Sequence, residues 1–312
     1  MAVEIVQTTA MPPAIQQVLD REFHVHRLWE ASDRNALLKQ VAPNVRGMVT
    51  SGGVGANRAL IEALPRLEMI SSFGVGYDSI DIDCAKERGV TVTNTPDVLT
   101  DDVADTAMAL LLAMMRRIPQ GDQFVRQGQW PKAKFPLTDK LGGKKMGVLG
   151  LGRIGQAIAR RAEPFNVEIS YFGPRRKADI PWRYYDNLVA MAKDVDILMI
   201  ACPGGKETEG LVNQAVIDAL GPKGYVVNIA RGSVVVEPAL VTALVEGKLA
   251  GAGLDVFADE PNVPEALWKL DSVTLAPHVG SATHATRQAM GDLVLKNILA
   301  FFAGQPVLTK VV

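Results

Sequence analysis

Between Lys144 and Ala162 a strand-like run, Met146-Gly147-Val148-Leu149, leads straight into Gly150-Leu151-Gly152-Arg153-Ile154-Gly155 and then into a helical stretch. Few local patterns restrict a fold as tightly. Gly150 permits a tight turn, Gly152 lets a pyrophosphate approach the backbone, and Gly155 lets the helix lie close to the strand. The helix that opens at Arg153 presents free N–H groups and the positive end of its dipole to phosphate. Glycines also mark ordinary turns, so the flanks decide. Ile154, Ile158, Ala159 and Ala162 share one apolar helix face. The spacing therefore predicts a dinucleotide site built on Gly150, Gly152, Arg153, Ile154 and Gly155.

The rest of the chain suits that reading, because short β-rich runs alternate with helical stretches throughout, which predicts an α/β fold with parallel sheets. The first hundred residues offer strands at Glu4–Gln7, Phe23–Val25, Gly47–Thr50, Met69–Phe73 and Val90–Thr93, with helices such as Ala56–Leu64 and Ile82–Arg88 between them. A second group of six follows, at Gly147–Leu149, Val167–Tyr171, Ile197–Ala201, Tyr225–Ile229, Ala252–Val256 and Val273–Leu275. A chain of 312 residues exceeds one ordinary core. We expect two doubly wound domains, one from 1–98 with 285–312 and one from 99–284, the last helix (about 285–302) returning to the first.

Charge excludes several partners. Lys and Arg number 33 against 34 Asp and Glu, with no long run of one sign, so neither nucleic acid nor a membrane surface is expected as a partner. The longest apolar run, Ala107–Met115, falls short of the ~20 residues that cross a bilayer. The opening Met1-Ala2-Val3-Glu4-Ile5 lacks the pattern of a signal peptide. Cys84 and Cys202 are the only cysteines, which predicts neither disulfide nor bound metal and suits a cytoplasmic, reducing location.

Thr100-Asp101-Asp102 reads as a helix start, and the helix runs to Arg116-Arg117 with charges that complement its dipole. Its middle, Ala104 to Met115, is apolar nearly all round, so it is buried on more than one side. We expect the Thr100–Arg117 region to form a homodimer contact; burial between two domains of one chain is the alternative.

The cofactor is read from the second strand of the later group. An NAD site carries an acidic residue at that strand's tip, which binds the ribose 2′-hydroxyl. Here Phe172-Gly173-Pro174-Arg175-Arg176-Lys177 follows. A carboxylate would repel a 2′-phosphate, whereas Arg holds it with paired hydrogen bonds. Arg175 and Arg176 thus point to NADPH, a solvated basic turn being the bland alternative.

Three polar residues fall where later strands should end: Arg231 after Val226–Ala230, Glu260 after Gly253–Phe257, and His278 after Val273–Pro277. Ligands of open α/β sheets lie beyond the carboxyl ends of the strands. Reducing a 2-oxo acid needs a cation for its carboxylate, a proton donor for its carbonyl oxygen, and a group that keeps the donor charged. Histidine beside a carboxylate is suited to that donation. Upstream, Gly74-Val75-Gly76 follows a strand and offers an anion nest of backbone amides. Asp78 is expected to cap the helix that begins near Asp81.

With Ser72-Phe73-Gly74-Val75-Gly76-Tyr77-Asp78, Thr93–Pro96, Gly150–Gly155, Asn228–Gly232, Gly253–Phe257, Asp259-Glu260-Pro261 and Pro277–Ser281 in this order, the chain resembles the D-2-hydroxyacid dehydrogenase family. The likeness covers nearly its whole length and lies with the glyoxylate/hydroxypyruvate and hydroxyphenylpyruvate reductase branch. It implies a Rossmann domain inserted into a flavodoxin-like substrate domain, and NADPH-dependent reduction of small 2-oxo acids. It implies Arg231 as substrate clamp, His278 as proton donor and Glu260 as its partner. Val75 and Gly76 amides would receive the substrate carboxylate, with Ser281 in the same set. Asp255 would hold the nicotinamide carboxamide, and Cys202, Pro203, Ile229, His278 and Gly280 would complete the cofactor contacts. Pro174 departs from the family, where a hydroxyl residue is common. The resemblance implies that Trp130 lines a neighbour's active site; packing at the interface alone is equally open. Corepressor-like sensors share this fold and form the rival of another class, whereas formate-type dehydrogenases carry Gln where Glu260 stands.

Overall fold

The structure, a computed structural model, describes residues 2–312 of the chain. It divides into two compact units, one holding the residues up to Leu99 together with Ser281–Val312, the other Thr100–Gly280. The chain returns to the first unit at Ser281, a few residues before the expected 285.

The first unit contains β1 (Glu4–Gln7), α1 (Pro13–Glu22), β2 (His24–Arg27), α2 (Arg34–Val41), β3 (Gly47–Ser51), α3 (Arg58–Glu62), β4 (Met69–Phe73), α4 (Ile82–Glu87) and β5 (Thr91–Thr93). All its strand pairs are parallel, in the order β2-β1-β3-β4-β5, the flavodoxin-type winding. Val6, Met48, Ile70 and Val92 fill a core on one face, and Ile5, Val49 and Met69 one on the other, as the two-residue period of strands requires. Helix starts are sealed locally: Asp33, Asn57 and Asp81 each accept a first-turn amide. Asp81, not Asp78, is thus the cap of α4.

The second unit runs α5 (Thr100–Arg116), α6 (Ile118–Arg126), β6 (Lys145–Leu149), α7 (Arg153–Ala162), β7 (Glu168–Phe172), β8 (Arg183–Tyr185), α8 (Leu188–Asp194), β9 (Ile197–Ile200), α9 (Gln214–Leu220), β10 (Tyr225–Asn228), α10 (Glu237–Val245), β11 (Gly251–Leu254) and β12 (Val273–Leu275). The chain then re-enters the first unit as α11 (His284–Phe302), which packs on β4 and α1.

The second sheet has seven parallel strands, ordered β12-β11-β10-β9-β6-β7-β8. Six were expected. The missed one, β8, is a three-residue edge strand between Pro181 and Asp186, too short to show a period. Strand order reverses between β6 and β9, so the glycine loop after β6 lies at the switch point where such sheets bind ligands.

Helix α5 is largely covered within its own unit. Val103, Ala104, Ala107, Met108, Leu110, Leu111, Met114 and Met115 are buried inside this unit, against α7 and strands β10, β11 and β12. Four exposed apolar side chains lie in the segment that follows it: Ile118, Val125, Trp130 and Leu137, the last 99% exposed. Among the described residues no helix is long and apolar enough to cross a membrane.

Candidate active site

The glycine loop matches its chemistry residue by residue. Gly150 has φ +92°, and a Cβ there would strike the Cys202 backbone. A Cβ on Gly155 would strike the Gly150 carbonyl, so this glycine keeps α7 against β6. Gly152, which precedes α7 as its N-cap, meets nothing within 4 Å. Two glycines are therefore demanded by packing, while the third holds open a space that a side chain would fill. A pyrophosphate at the helix N-terminus fits that cradle. Arg153 is exposed and Ile154 half-buried at the start of α7.

Across the switch point, Cys202 and Pro203 follow β9. Burial pushes the Cys202 thiol up to about 11, so it lines the loop as a small apolar group. The Pro203 carbonyl accepts a hydrogen bond from Thr208 Oγ1 at 2.7 Å. Ile229 is buried at the end of β10. At the end of β7 the tip bears no carboxylate, and Arg175, Arg176 and Lys177 are all exposed. Among the described residues no carboxylate engages Arg175 or Arg176, which suits a 2′-phosphate there.

Asp255 organises the loop after β12. It is 1% exposed; Oδ1 accepts the Val279 amide at 2.7 Å, Oδ2 accepts the Gly280 amide at 2.8 Å, and its carbonyl accepts the His278 amide at 2.8 Å. Burial raises its pKa, while the two amide donors oppose that rise. The family resemblance implies that this carboxylate holds a nicotinamide carboxamide. Here both oxygens already hold backbone, each keeping one further lone pair, so Asp255 also positions residues 278–280. His278 itself adopts φ +53°, a conformation that this tether stabilises.

Glu260 reaches His278 from the loop after β11. Its Oε1 accepts the Phe257 amide at 3.1 Å, and its Oε2 lies 2.7 Å from His278 Nδ1. A carboxylate accepts here, so Nδ1 carries the proton and Nε2 is the ring nitrogen outside this contact. The imidazole remains partly open to solvent, with 46% of its side chain exposed.

Arg231 stands on a turn set by Asn228, a residue whose type and position in the sequence do not mark it for function. Buried Asn228 accepts the Ala230 amide at 3.0 Å and donates from Nδ2 to the Arg231 carbonyl at 2.9 Å. The only signal was the strand-end Asn before Ile-Ala-Arg-Gly, which sequence alone does not separate from strand packing. Next to it, a Cβ on Gly232 would run into the Phe257 carbonyl, so the Arg231 turn lies directly against the loop that leads to Glu260. The Arg231 guanidinium donates from Nη1 to the Ala230 carbonyl at 2.7 Å.

Val75, Gly76 and Ser281 belong to the first unit. There Gly74, at φ +151°, donates its amide to Thr95 Oγ1 at 3.0 Å, and Asn94 Nδ2 donates to the Val75 carbonyl at 2.8 Å. The Gly74-Val75 turn is thereby held by the residues after β5.

Residues 108–280 match the model of the D-isomer-specific 2-hydroxyacid dehydrogenase NAD-binding domain. The chain belongs to the D-isomer-specific 2-hydroxyacid dehydrogenase family. It is 50% identical to a hydroxyphenylpyruvate reductase of Plectranthus scutellarioides, covering 100% of this chain and 99% of that one. It is 46% identical to a glyoxylate/hydroxypyruvate reductase A of Arabidopsis thaliana, with the same coverage. A crystal structure of an NADPH-dependent glyoxylate/hydroxypyruvate reductase from Sinorhizobium meliloti, with NADP and malonate, superposes at a TM-score of 0.92. That protein is 44% identical, the match covering 100% of this chain and 97% of its own.

Proposed function

We propose that this dehydrogenase reduces small 2-oxo acids to D-2-hydroxy acids with NADPH, glyoxylate and hydroxypyruvate being its main substrates. The observation that carries the reading is the His278–Glu260 pair, built beside the Arg231 turn in a unit whose glycine loop fits a dinucleotide. When bound, the nicotinamide supplies the hydride that goes to the carbonyl carbon. His278 gives the proton from Nε2 to the carbonyl oxygen, so the alcohol forms with one hydride and one proton. Glu260 holds the ring by Nδ1 and balances the imidazolium charge before transfer. Arg231 binds the substrate carboxylate. Gly150, Gly152, Gly155, Arg153 and Ile154 hold the pyrophosphate, Arg175 and Arg176 the 2′-phosphate. Cys202, Pro203, Ile229, Asp255 and Gly280 line the remainder of the cofactor site.

A second substrate class has specific support. The relative from Plectranthus, at 50% identity, is named for hydroxyphenylpyruvate, so aryl pyruvates belong in the same test. NADPH oxidation by purified protein would be followed with glyoxylate, hydroxypyruvate, pyruvate, phenylpyruvate and 4-hydroxyphenylpyruvate, each repeated with NADH. Fast turnover of the first two supports the main reading. A marked preference for the aryl acids replaces it with the second. No turnover by protein that binds NADPH replaces both with a sensor.

The active form we propose is a homodimer. The contact is the Thr100–Arg117 region continued into α6 and the arm after it, where Ile118, Val125, Trp130 and Leu137 are exposed. The cytoplasm suits a chain whose two cysteines are separate buried thiols.

A further inference from the structure

The tip of β7 is gripped from beneath by two tyrosines. Tyr171 on β7 and Tyr184 on the edge strand β8 are register partners, with ring centroids 5.3 Å apart. Tyr184 Oη donates to the Gly173 carbonyl at 3.2 Å. Tyr171 Oη accepts the Lys177 amide at 2.9 Å. The two hydroxyls thus fix the first and last residues of the basic turn, leaving only Pro174, Arg175 and Arg176 between them. Tyr171 is 1% exposed, so its hydroxyl has little freedom to seek another partner. Pro174 stiffens the span further by locking its own φ.

We infer that Tyr171 and Tyr184 form a clamp that preorganises the Arg175–Arg176 turn for the 2′-phosphate, and so set the preference for NADPH over NADH. The inference rests on the NADPH reading above and adds the residues that make the turn selective. Without the clamp, a glycine-started turn bearing three exposed cations samples many conformations. Ordering it on binding costs affinity that a preformed turn retains. NADH lacks the group that the turn contacts, so its binding does not draw on the clamp. Both tyrosines are positioning residues, since each hydroxyl is engaged by turn backbone. Edge strand β8 is itself secured on its other face, where Tyr185 Oη donates to Asp194 at 2.8 Å. Removal of one clamp hydroxyl therefore leaves the strand in place.

The test is direct binding. Dissociation constants of NADPH and NADH are measured by fluorescence titration for the wild type, Tyr171→Phe, Tyr184→Phe and the double variant, with kcat at saturating NADPH alongside. One lost neutral hydrogen bond predicts an NADPH affinity about 2- to 12-fold weaker in each single variant. The double variant should weaken further, while NADH affinity and kcat hold. Unchanged NADPH affinity overturns the clamp, and so does an equal loss for both cofactors, which marks general damage to the sheet edge. A wild type that binds the two cofactors equally instead overturns the NADPH reading itself, whatever the variants do.

Discussion

His278 is held by Glu260 through a 2.7 Å contact between Nδ1 and Oε2, although the two side chains arise from loops after different strands. Its backbone is set independently, by the amide that it donates to the Asp255 carbonyl. Ring orientation and backbone position therefore have separate causes and can be removed one at a time.

His278→Asn is the cleanest removal of the proton donor, because Asn tolerates the left-handed φ of +53° that other side chains resist. We predict a kcat lower by about 10²- to 10⁴-fold, with NADPH binding retained. Stopped-flow turnover with a parallel NADPH titration decides; wild-type kcat would remove His278 from the mechanism.

Glu260→Gln keeps an acceptor for Nδ1 but loses the charge, whereas Glu260→Ala loses both. The expected order of kcat is wild type, then Gln, then Ala, with the Ala variant down by roughly 10²-fold. Equal activity of Gln and wild type would mean that Glu260 only orients the ring.

Arg231→Lys should lower kcat/KM for the 2-oxo acid far more than it changes NADPH affinity, since an ammonium cannot reproduce a planar two-point contact with a carboxylate. Its carboxylate is the group read, so a parallel series with the corresponding amide of the substrate should show no such loss.

The three loop glycines separate stability from binding. Gly152→Ala places a methyl in open space at a negative φ of −74°, so its Tm should match wild type while NADPH affinity falls at least tenfold. Gly155→Ala drives a Cβ into the Gly150 carbonyl and should lose several degrees of Tm, about 2 kcal/mol or more. Thermal melts of both proteins without cofactor test the contrast, and equal Tm values would contradict it.

Alkaline stability should follow Cys202. Burial raises its thiol from the ordinary 9.0 to about 11. The unfolded chain therefore releases this proton first. The contribution is fully present below about pH 8.5 and is lost as pH rises to about 11. Two units correspond to about 2–3 kcal/mol at the top of that window. Burial raises the Tyr225 hydroxyl as well, which extends the same trend. Cys202→Ala should flatten the fall in Tm between about pH 8.5 and about pH 11; a slope equal to wild type would assign the effect elsewhere.

The sequence alone carried most of the fold and the candidate site. Glycine spacing, strand alternation and strand-end polar residues are local or periodic signals, and they led to the cradle, the two α/β units and the trio Arg231, Glu260 and His278. Other features depend on who packs against whom. The apolar girth of α5 is largely used on α7 and the sheet, because apolar patterning records burial and not the burying partner. Strand β8 escaped notice, since three edge residues gain their conformation from pairing with β7. With it went the Tyr171–Tyr184 pair, whose members lie thirteen positions apart in the chain and meet only across the ladder. Asn228 under Arg231, and the double grip of Asp255 on residues 278–280, are likewise long-range or turn-specific hydrogen bonds. Residue type and spacing decided which groups this chain brings to its site; tertiary contacts decided how firmly each is held, because hydrogen bonds between distant segments form only once the sheet has fixed where the strands end.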